Sequence, residues 1–441
     1  MQRSPSFAYR VHGGPPLGQD SEASGIVHEL GHVLGAGWVD AEALDEWFCE
    51  QGHQIKDYLV WEKLHEGLQI ELRVTVGEES VCSLKGVDSM FRRRLLSIPP
   101  NDANAFAMHT LIRQSADSVL IESGDSTVSV QTNWSMVADL FRESLVESET
   151  RYWLKQALGL LGMLDGPVSQ LPAIGKYWEF HSRLFHRFSS TDGTPYPSGG
   201  TFPHMGSEPV APVFKPPMTD NILRLAKPPK KLKLQLATGL DDVLGSRRSL
   251  RPQKPSPLTA TELGALLHAS FYPLRLIDHE PTSPSSYEAS KRPYPSGGGM
   301  HPLELYLLVS QPGQHGLPNG LYHYRLREHL LEALPSNEAE LSKLARATIA
   351  DWPVSITLFA TARLGRTGWK YEAVTFRLIY AEWGALLQTL HLNATALGLS
   401  LSGLGSLPAS LFSRVSQVDY NAEPLIGLAA LCGPASETTS K

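Results

Sequence analysis

A chain of 441 residues with 42% apolar and 19% charged residues has enough material for the cores of two or three domains. A formal charge of −6 and a pI near 6.2 give it no basic field for a nucleic acid. Cys49, Cys82 and Cys432 lack the spacing of a disulfide framework or a cysteine zinc site, no run approaches a membrane span, and the first residues lack a signal peptide's apolar core. The expectation is a cytoplasmic protein with neither nucleic acid nor membrane as partner.

The first domain is expected over residues 21–100. Ile26, Val27, Leu30, Val33 and Leu34 follow helical spacing, Asp40 reads as the N-cap of a second helix, and a third helix covers roughly 56–65. QIELRVTV and SVCSLKG then alternate as a hairpin around Gly77. Three helices and a hairpin make a winged-helix pattern. Its helices lack the Lys and Arg that phosphate contacts need, so the use expected of it is capture of a peptide along a sheet edge. Within it stands His28-Glu29-Leu30-Gly31-His32, an HExxH that sets two imidazoles on one helical face for zinc. Trp38 occupies the place of a third histidine, and two ligands do not close a zinc site, so zinc metallopeptidase is kept as an alternative and no metal is assigned.

FAMHTLIRQ, SVLIESG and STVSVQT read as three strands, followed by helical runs at 136–147 and 151–164. This repeats the strand and helix content of the first segment, so 101–190 is read as a second winged-helix-like clamp; a single mixed N-terminal domain is the other reading. Residues 191–216, rich in Pro and Gly, form the linker, and KPPKKLKLQ at 227–235 reads as a solvated stretch.

The remaining domain, 217–434, has an α+β order of helix, strand, connection, strand and long helix. Thr259 with Glu262 makes a capping box, 321–324 and 330–334 a hairpin, 355–361 a buried strand, and 377–399 a long apolar helix. Three motifs fall along it. Arg247-Arg248-Ser249-Leu250-Arg251 suits a phosphate through charge-assisted hydrogen bonds. Pro295-Ser296-Gly297-Gly298-Gly299 offers nearly bare backbone before the strand LELYLLV, and a glycine turn at 401–406 follows the long helix.

These motifs in this order, together with Lys370-Tyr371, resemble the nitroreductase-like flavin enzymes, and within them the SagB and McbC type of azoline dehydrogenase, closest to the cyanobactin thiazoline oxidases. The resemblance implies helices packed on a mixed sheet, an obligate homodimer, and FMN at its interface. Arg247, Arg248, Ser249 and Arg251 of one subunit would hold the phosphate, ribityl chain or ring edge, and Pro295, Ser296 and Gly297 would come from the other. Gly403, Leu404 and Gly405 would lie against the isoalloxazine. The C-terminal run LAALCGPASETTSK lacks the basic residue many nitroreductases carry after the last glycine, which leaves the phosphate more dependent on 247–251. Lys370 and Tyr371 would supply the base for oxidising a thiazoline or oxazoline of a precursor peptide, a role worth roughly 100-fold to 10,000-fold in rate. Which of the two is the base stays open. So do an NAD(P)H-dependent nitro or quinone reductase and a non-catalytic peptide-binding protein as alternatives.

Overall fold

In the computed structural model, the described residues are 5–11, 38–50, 70–165, 177–190 and 199–434, apart from 89, 100–104, 108, 125, 127, 141, 143–147, 253, 255, 257, 279–284, 311–316, 349 and 351. The HELGH motif, the helices expected around 26–34 and 56–65, and most of the first PYPSGG copy lie outside them. The chain divides into two compact units, Met1–Pro197 and Ser198–Lys441.

The first unit is built on one seven-stranded sheet, order β2-β1-β3-β4-β7-β6-β5, with every pairing antiparallel. Its strands are β1 (Ser6–Val11), β2 (Val39–Asp40), β3 (Ile70–Val76), β4 (Glu79–Lys85), β5 (Thr110–Ser115), β6 (Ser118–Ser123) and β7 (Ser129–Thr132). The expected hairpin is β3–β4, turning at Gly77, which has φ +61°. Ile70, Leu72, Val74 and Val76 alternate into a core completed by α1 (Ala41–Glu50), α2 (Phe91–Ser97), α3 (Trp134–Asp139) and α4 (Glu149–Leu160). Each fully buried side chain of this kind contributes about 1.5–3 kcal/mol. Asp40 caps α1 as expected, its carboxylate accepting from the backbone N–H groups of Glu42 and Ala43. The two segments read as separate clamps share this sheet: β4 pairs with β7 through Ser83 and Gln131, so the β3–β4 hairpin sits at the sheet's centre. A last helix, α5 (Phe180–Phe188), carries Arg187, which donates to the Ser123 carbonyl at 2.5 Å.

In the second unit the sheet order is β15-β16-β14-β11-β12-β13-β8, again antiparallel throughout, where a mixed sheet was expected. The strands are β8 (Ile222–Arg224), β11 (Leu303–Val309), β12 (Gly320–Arg325), β13 (Leu330–Leu334), β14 (Ile356–Ala362), β15 (Ser400–Leu404) and β16 (Leu425–Cys432), with β9 (Arg275–Ile277) and β10 (Ala289–Lys291) forming a separate ribbon. The order is antiparallel because the long connection from β13 re-enters at β14, which runs against β11. All seven residues of β11 are buried because helices cover both faces. Leu303, Leu305, Leu307 and Val309 face α8 (Ala260–Phe271) and α11 (Thr375–Ala396); Tyr306 and Leu308 face α9 (Glu338–Ala347) and α12 (Ala409–Ser416). The Thr259 capping box is present at the start of α8.

Two local expectations are corrected. The basic run at 230–236 is α6 (Lys230–Leu236), ordered because Leu232 packs into the core while its lysines stay in water. Leu401 to Leu404 belong to strand β15 rather than to a turn, Gly403 pairing with Ala429 of β16. Two further helices complete the frame, α7 (Leu240–Ser246) and α10 (Leu364–Lys370).

Candidate functional site

The motif residues gather at two places along α11. Near its start, the Pro295–Gly299 loop rests on the helix: a Cβ placed on Gly297 would lie 3.0 Å from Leu378. Near its end, Arg247 follows α7, and the Leu250 N–H donates to the Leu401 carbonyl at 3.2 Å, which ties the RRSLR segment to β15. Gly403 approaches Leu387, and His391 is pushed below the ordinary imidazole range by burial first and by the Arg247 cation second. From Glu382 to His391 the helix rises about 14 Å, so one chain carries two half-sites rather than one cluster.

The first half-site is locked by buried hydrogen bonds. Gly298 and Gly299 have φ of +60° and +66°, and His301, two residues on, has φ +43°. A chain that turns left-handed this often in four residues needs glycine wherever a Cβ is avoidable. Ser296 holds the turn from within: its hydroxyl donates to the Glu382 carboxylate and accepts the His301 backbone N–H at 2.9 Å. The His301 Nδ1 stands 3.6 Å from the other Glu382 oxygen. Burial, the largest influence, pushes the His301 imidazole below its ordinary range.

Arg366, fully buried on α10, braces the same loop by donating to the carbonyls of Met300 at 2.9 Å, Ala211 at 2.9 Å and Glu288 at 3.0 Å. Burial lowers its guanidinium to about 10, which still leaves it a cation. One turn further on, α10 ends in Lys370 and Tyr371. A Cβ built on Gly298 would lie 2.6 Å from the Tyr371 hydroxyl and 2.9 Å from the Lys370 Nζ, so both functional atoms meet over bare backbone. Lys370 Nζ donates to the Tyr287 hydroxyl at 2.7 Å, and Tyr287 donates to the Gly298 carbonyl at 2.6 Å.

The second half-site is open. Arg248, Ser249 and Arg251 are exposed and Arg247 is half-buried. Among the described residues Arg248 donates only to the carbonyls of Gly245 and Arg247, both through one guanidinium nitrogen, which leaves donors for an anion, whereas the Arg251 guanidinium lies 5.1 Å from the Trp352 ring centroid. Among the described residues nothing stands within 4 Å of a Cβ on Gly405. Exposed cations beside a bare strand end, with a glycine cradle at the other half-site, are a donor set that fits a phosphorylated, planar cofactor. Among the described residues no group of three His, Cys, Asp or Glu side chains is placed to hold a metal ion, and no helix is long and apolar enough to cross a membrane.

The structure thus brings Lys370 and Tyr371 to Gly298, in the same loop as Pro295, Ser296 and Gly297, and ties the Arg247–Arg251 segment through Leu250 to Leu401 of β15, the strand that carries Gly403 and Leu404. Tyr287, Glu382, His301 and Arg366 were missed by sequence reasoning. Glu382 had a signal: it is the one charged position in the buried series Thr375, Ile379, Glu382, Leu386, Leu390. Tyr287, 83 residues from Lys370, had none.

The profile described as the nitroreductase family matches residues 244–432. The Methanocaldococcus jannaschii protein named "Putative nitroreductase MJ1384" is 33% identical over 171 residues, covering 38% of this chain and 78% of that protein. The trifolitoxin-processing protein TfxB of Rhizobium leguminosarum bv. trifolii is 30% identical over 138 residues, which span 30% of this chain and only 37% of TfxB. Among solved structures, a Ralstonia eutropha JMP134 protein described as a "putative nitroreductase" aligns with TM-score 0.38 and 19% identity over 52% of this chain and 97% of its own. The E. coli microcin synthetase McbBCD complex with truncated pro-MccB17 aligns with TM-score 0.34 and 21% identity over 44% of this chain and 73% of that one.

Proposed function

The chain belongs to the nitroreductase family, and on that premise we propose that it is an FMN-dependent oxidase that converts thiazoline or oxazoline rings to thiazoles or oxazoles in a ribosomally made peptide. The observation that carries this reading is the meeting of Lys370 and Tyr371 over Gly298. A reductase that only passes hydride needs no such pair, whereas azole formation removes a proton as well as a hydride, and a group must take the proton. The likeness to TfxB, named for trifolitoxin processing, supports a peptide as the substrate.

Bound, FMN supplies the two-electron acceptor, with oxygen as the final one. Arg247, Arg248 and Ser249 would hold its phosphate, and Arg251 would add charge at the edge of that group. Gly403, Leu404 and Gly405 would offer backbone to the ring, and Pro295, Ser296 and Gly297 would close on it from a second copy. A two-fold pairing along α11 would bring the first half-site of one chain to the second half-site of another, which is the support for a homodimer. Ser296, whose hydroxyl donates to Glu382 and accepts the His301 N–H, would hold the glycine loop in place. The N-terminal sheet would capture the precursor peptide; among the described residues its outermost strand β5 pairs only with β6, an edge suited to strand addition.

The test begins with the visible spectrum of the purified protein and the mass of the small molecule it releases. FMN at about one per chain, followed by loss of two hydrogens from a synthetic thiazoline peptide in air, is the expected result. Lys370→Ala and Tyr371→Phe are each expected to keep the yellow colour and lose turnover, by about 100-fold or more. A protein that reduces nitroaromatics with NADPH and leaves azolines untouched would instead be a reductase.

A further inference from the structure

Three aromatic rings and one hydroxyl oxygen surround the Lys370 Nζ. The rings of Tyr287, Phe202 and Tyr371 have centroids 4.9, 5.4 and 5.5 Å away, and the Tyr287 oxygen accepts one of its protons at 2.7 Å. Tyr287 has a single hydroxyl proton, and it is spent on the Gly298 carbonyl at 2.6 Å, so its oxygen faces Lys370 only as an acceptor. The result is a chain of fixed direction, Lys370 to Tyr287 to Gly298. The backbone behind it is fixed as well, because the Lys370 carbonyl accepts the Phe202 N–H at 3.1 Å. The Tyr371 hydroxyl differs: among the described residues it has no hydrogen-bond partner, although it shares the space above Gly298 with the ammonium.

We propose, resting on the oxidase reading above, that Tyr287 is a positioning residue that fixes the Lys370 ammonium, leaving the Tyr371 oxygen as the group that takes the substrate's proton. In that step the C–H bond of the ring carbon beside the carbonyl breaks and its electron pair stays on the substrate. The Tyr371 hydroxyl passes its own proton to water before the step, and the substrate's proton then forms the new O–H bond with the Tyr371 oxygen, opposite the Lys370 Nζ. The hydride from the neighbouring ring carbon goes to the flavin oxidant. Lys370, its Nζ donating to Tyr287 and lying among three aromatic rings, acts by its field.

Proton removal is read apart from oxidation in the holoprotein with its flavin chemically reduced and oxygen excluded, by following deuterium entry from heavy water into a synthetic thiazoline peptide by mass spectrometry. Wild type is expected to exchange the ring proton, and Tyr371→Phe to lose exchange while keeping its flavin. Tyr287→Phe is expected to exchange about tenfold more slowly at unchanged half-saturating peptide. Exchange at the wild-type rate in Tyr371→Phe would assign the proton to another group; the same result in Tyr287→Phe would remove its role. A second measurement does not depend on the substrate: trace acetylation of the holoprotein with acetic anhydride, comparing Lys370 with the exposed Lys233. Lys370 is expected to become severalfold more reactive in Tyr287→Phe, and an unchanged ratio would overturn the positioning. Wild-type protein that neither oxidises nor exchanges any azoline would sink the oxidase reading and the Tyr371 assignment, while the acetylation ratio would still decide whether Tyr287 fixes Lys370.

Discussion

The two ends of α11 solve opposite problems. At its start, Pro295–Gly299 is a loop with almost no side chains of its own, held from below by Ser296, Glu382 and Arg366 in buried hydrogen bonds. At its end, Arg247 to Arg251 is a segment of long charged side chains, mostly exposed, tied to β15 by the backbone bond from Leu250 to Leu401. The first end fixes atoms in place and the second gathers charge. Precision at a reacting centre requires side chains locked by neighbours, whereas an anion is satisfied by several interchangeable donors. Substitutions at the first end are therefore expected to damage turnover, and those at the second to damage cofactor affinity.

The largest effect is expected at Gly298. Its φ of +60° strains any other residue, and a Cβ would collide with the two atoms assigned to the chemistry. Gly298→Val is expected to lower turnover by about 100-fold or more while flavin content stays near wild type. Loss of flavin with normal turnover in whatever protein remains loaded would reverse the comparison. At the other end, Arg247→Ala and Arg248→Ala are each expected to weaken FMN binding by about tenfold, the scale of one charge-assisted hydrogen bond, and more so in high salt. Turnover at saturating FMN should return. Equilibrium dialysis at two ionic strengths reads both parts.

How much of this contrast was legible before the fold follows from its physical origin. The open half-site was nearly all in the sequence, because exposed charge and glycine are local features that keep their meaning wherever the chain goes. β3, β4, β11, β14 and the Thr259 cap were legible for a similar reason: alternation, continuous apolar runs and capping pairs act over a few residues. The locked half-site was only half legible. Lys370 and Gly298 could be named, but the partner joining them is Tyr287, and the brace behind them is Arg366 donating to carbonyls 66, 78 and 155 residues away. Backbone carbonyls carry no sequence signature, so only the fold reveals them. The strand at Ser400–Leu404 was hidden because its glycine reads as a turn, while its pairing with β16 determines what it is.

A smaller effect separates the ends by pH. His301 is buried at the locked end with its imidazole held below the ordinary 6.5, so the fold favours the neutral ring. The unfolded chain binds that proton more readily; stability from this residue is therefore complete above about 6.5 and declines as pH falls from there toward the folded value. Melting temperature is expected to drop over that window, and the drop to be shallower in His301→Asn. His391, lowered in the same direction at the other end, contributes to the same window, so His391→Asn is the control that apportions the slope. An equally steep slope in His301→Asn would move the pH sensitivity away from the locked end.

The smallest effect is expected within the open half-site itself, at Arg251. Sequence reasoning grouped it with Arg247 and Arg248, but its guanidinium lies over Trp352 at 5.1 Å, and an exposed cation on an aromatic face is worth only about 0.5–1 kcal/mol. If it serves mainly to pin the segment to the domain, Arg251→Ala lowers melting temperature slightly and changes FMN affinity less than Arg247→Ala or Arg248→Ala does. Arg251→Lys keeps the charge but loses the planar stack, so it should behave like alanine in the melt and like wild type in the binding assay. Should Arg251→Ala instead lose as much FMN affinity as Arg248→Ala, the cation must leave Trp352 when the cofactor binds, and the open end would then be a site that reorganises around its anion rather than a fixed one.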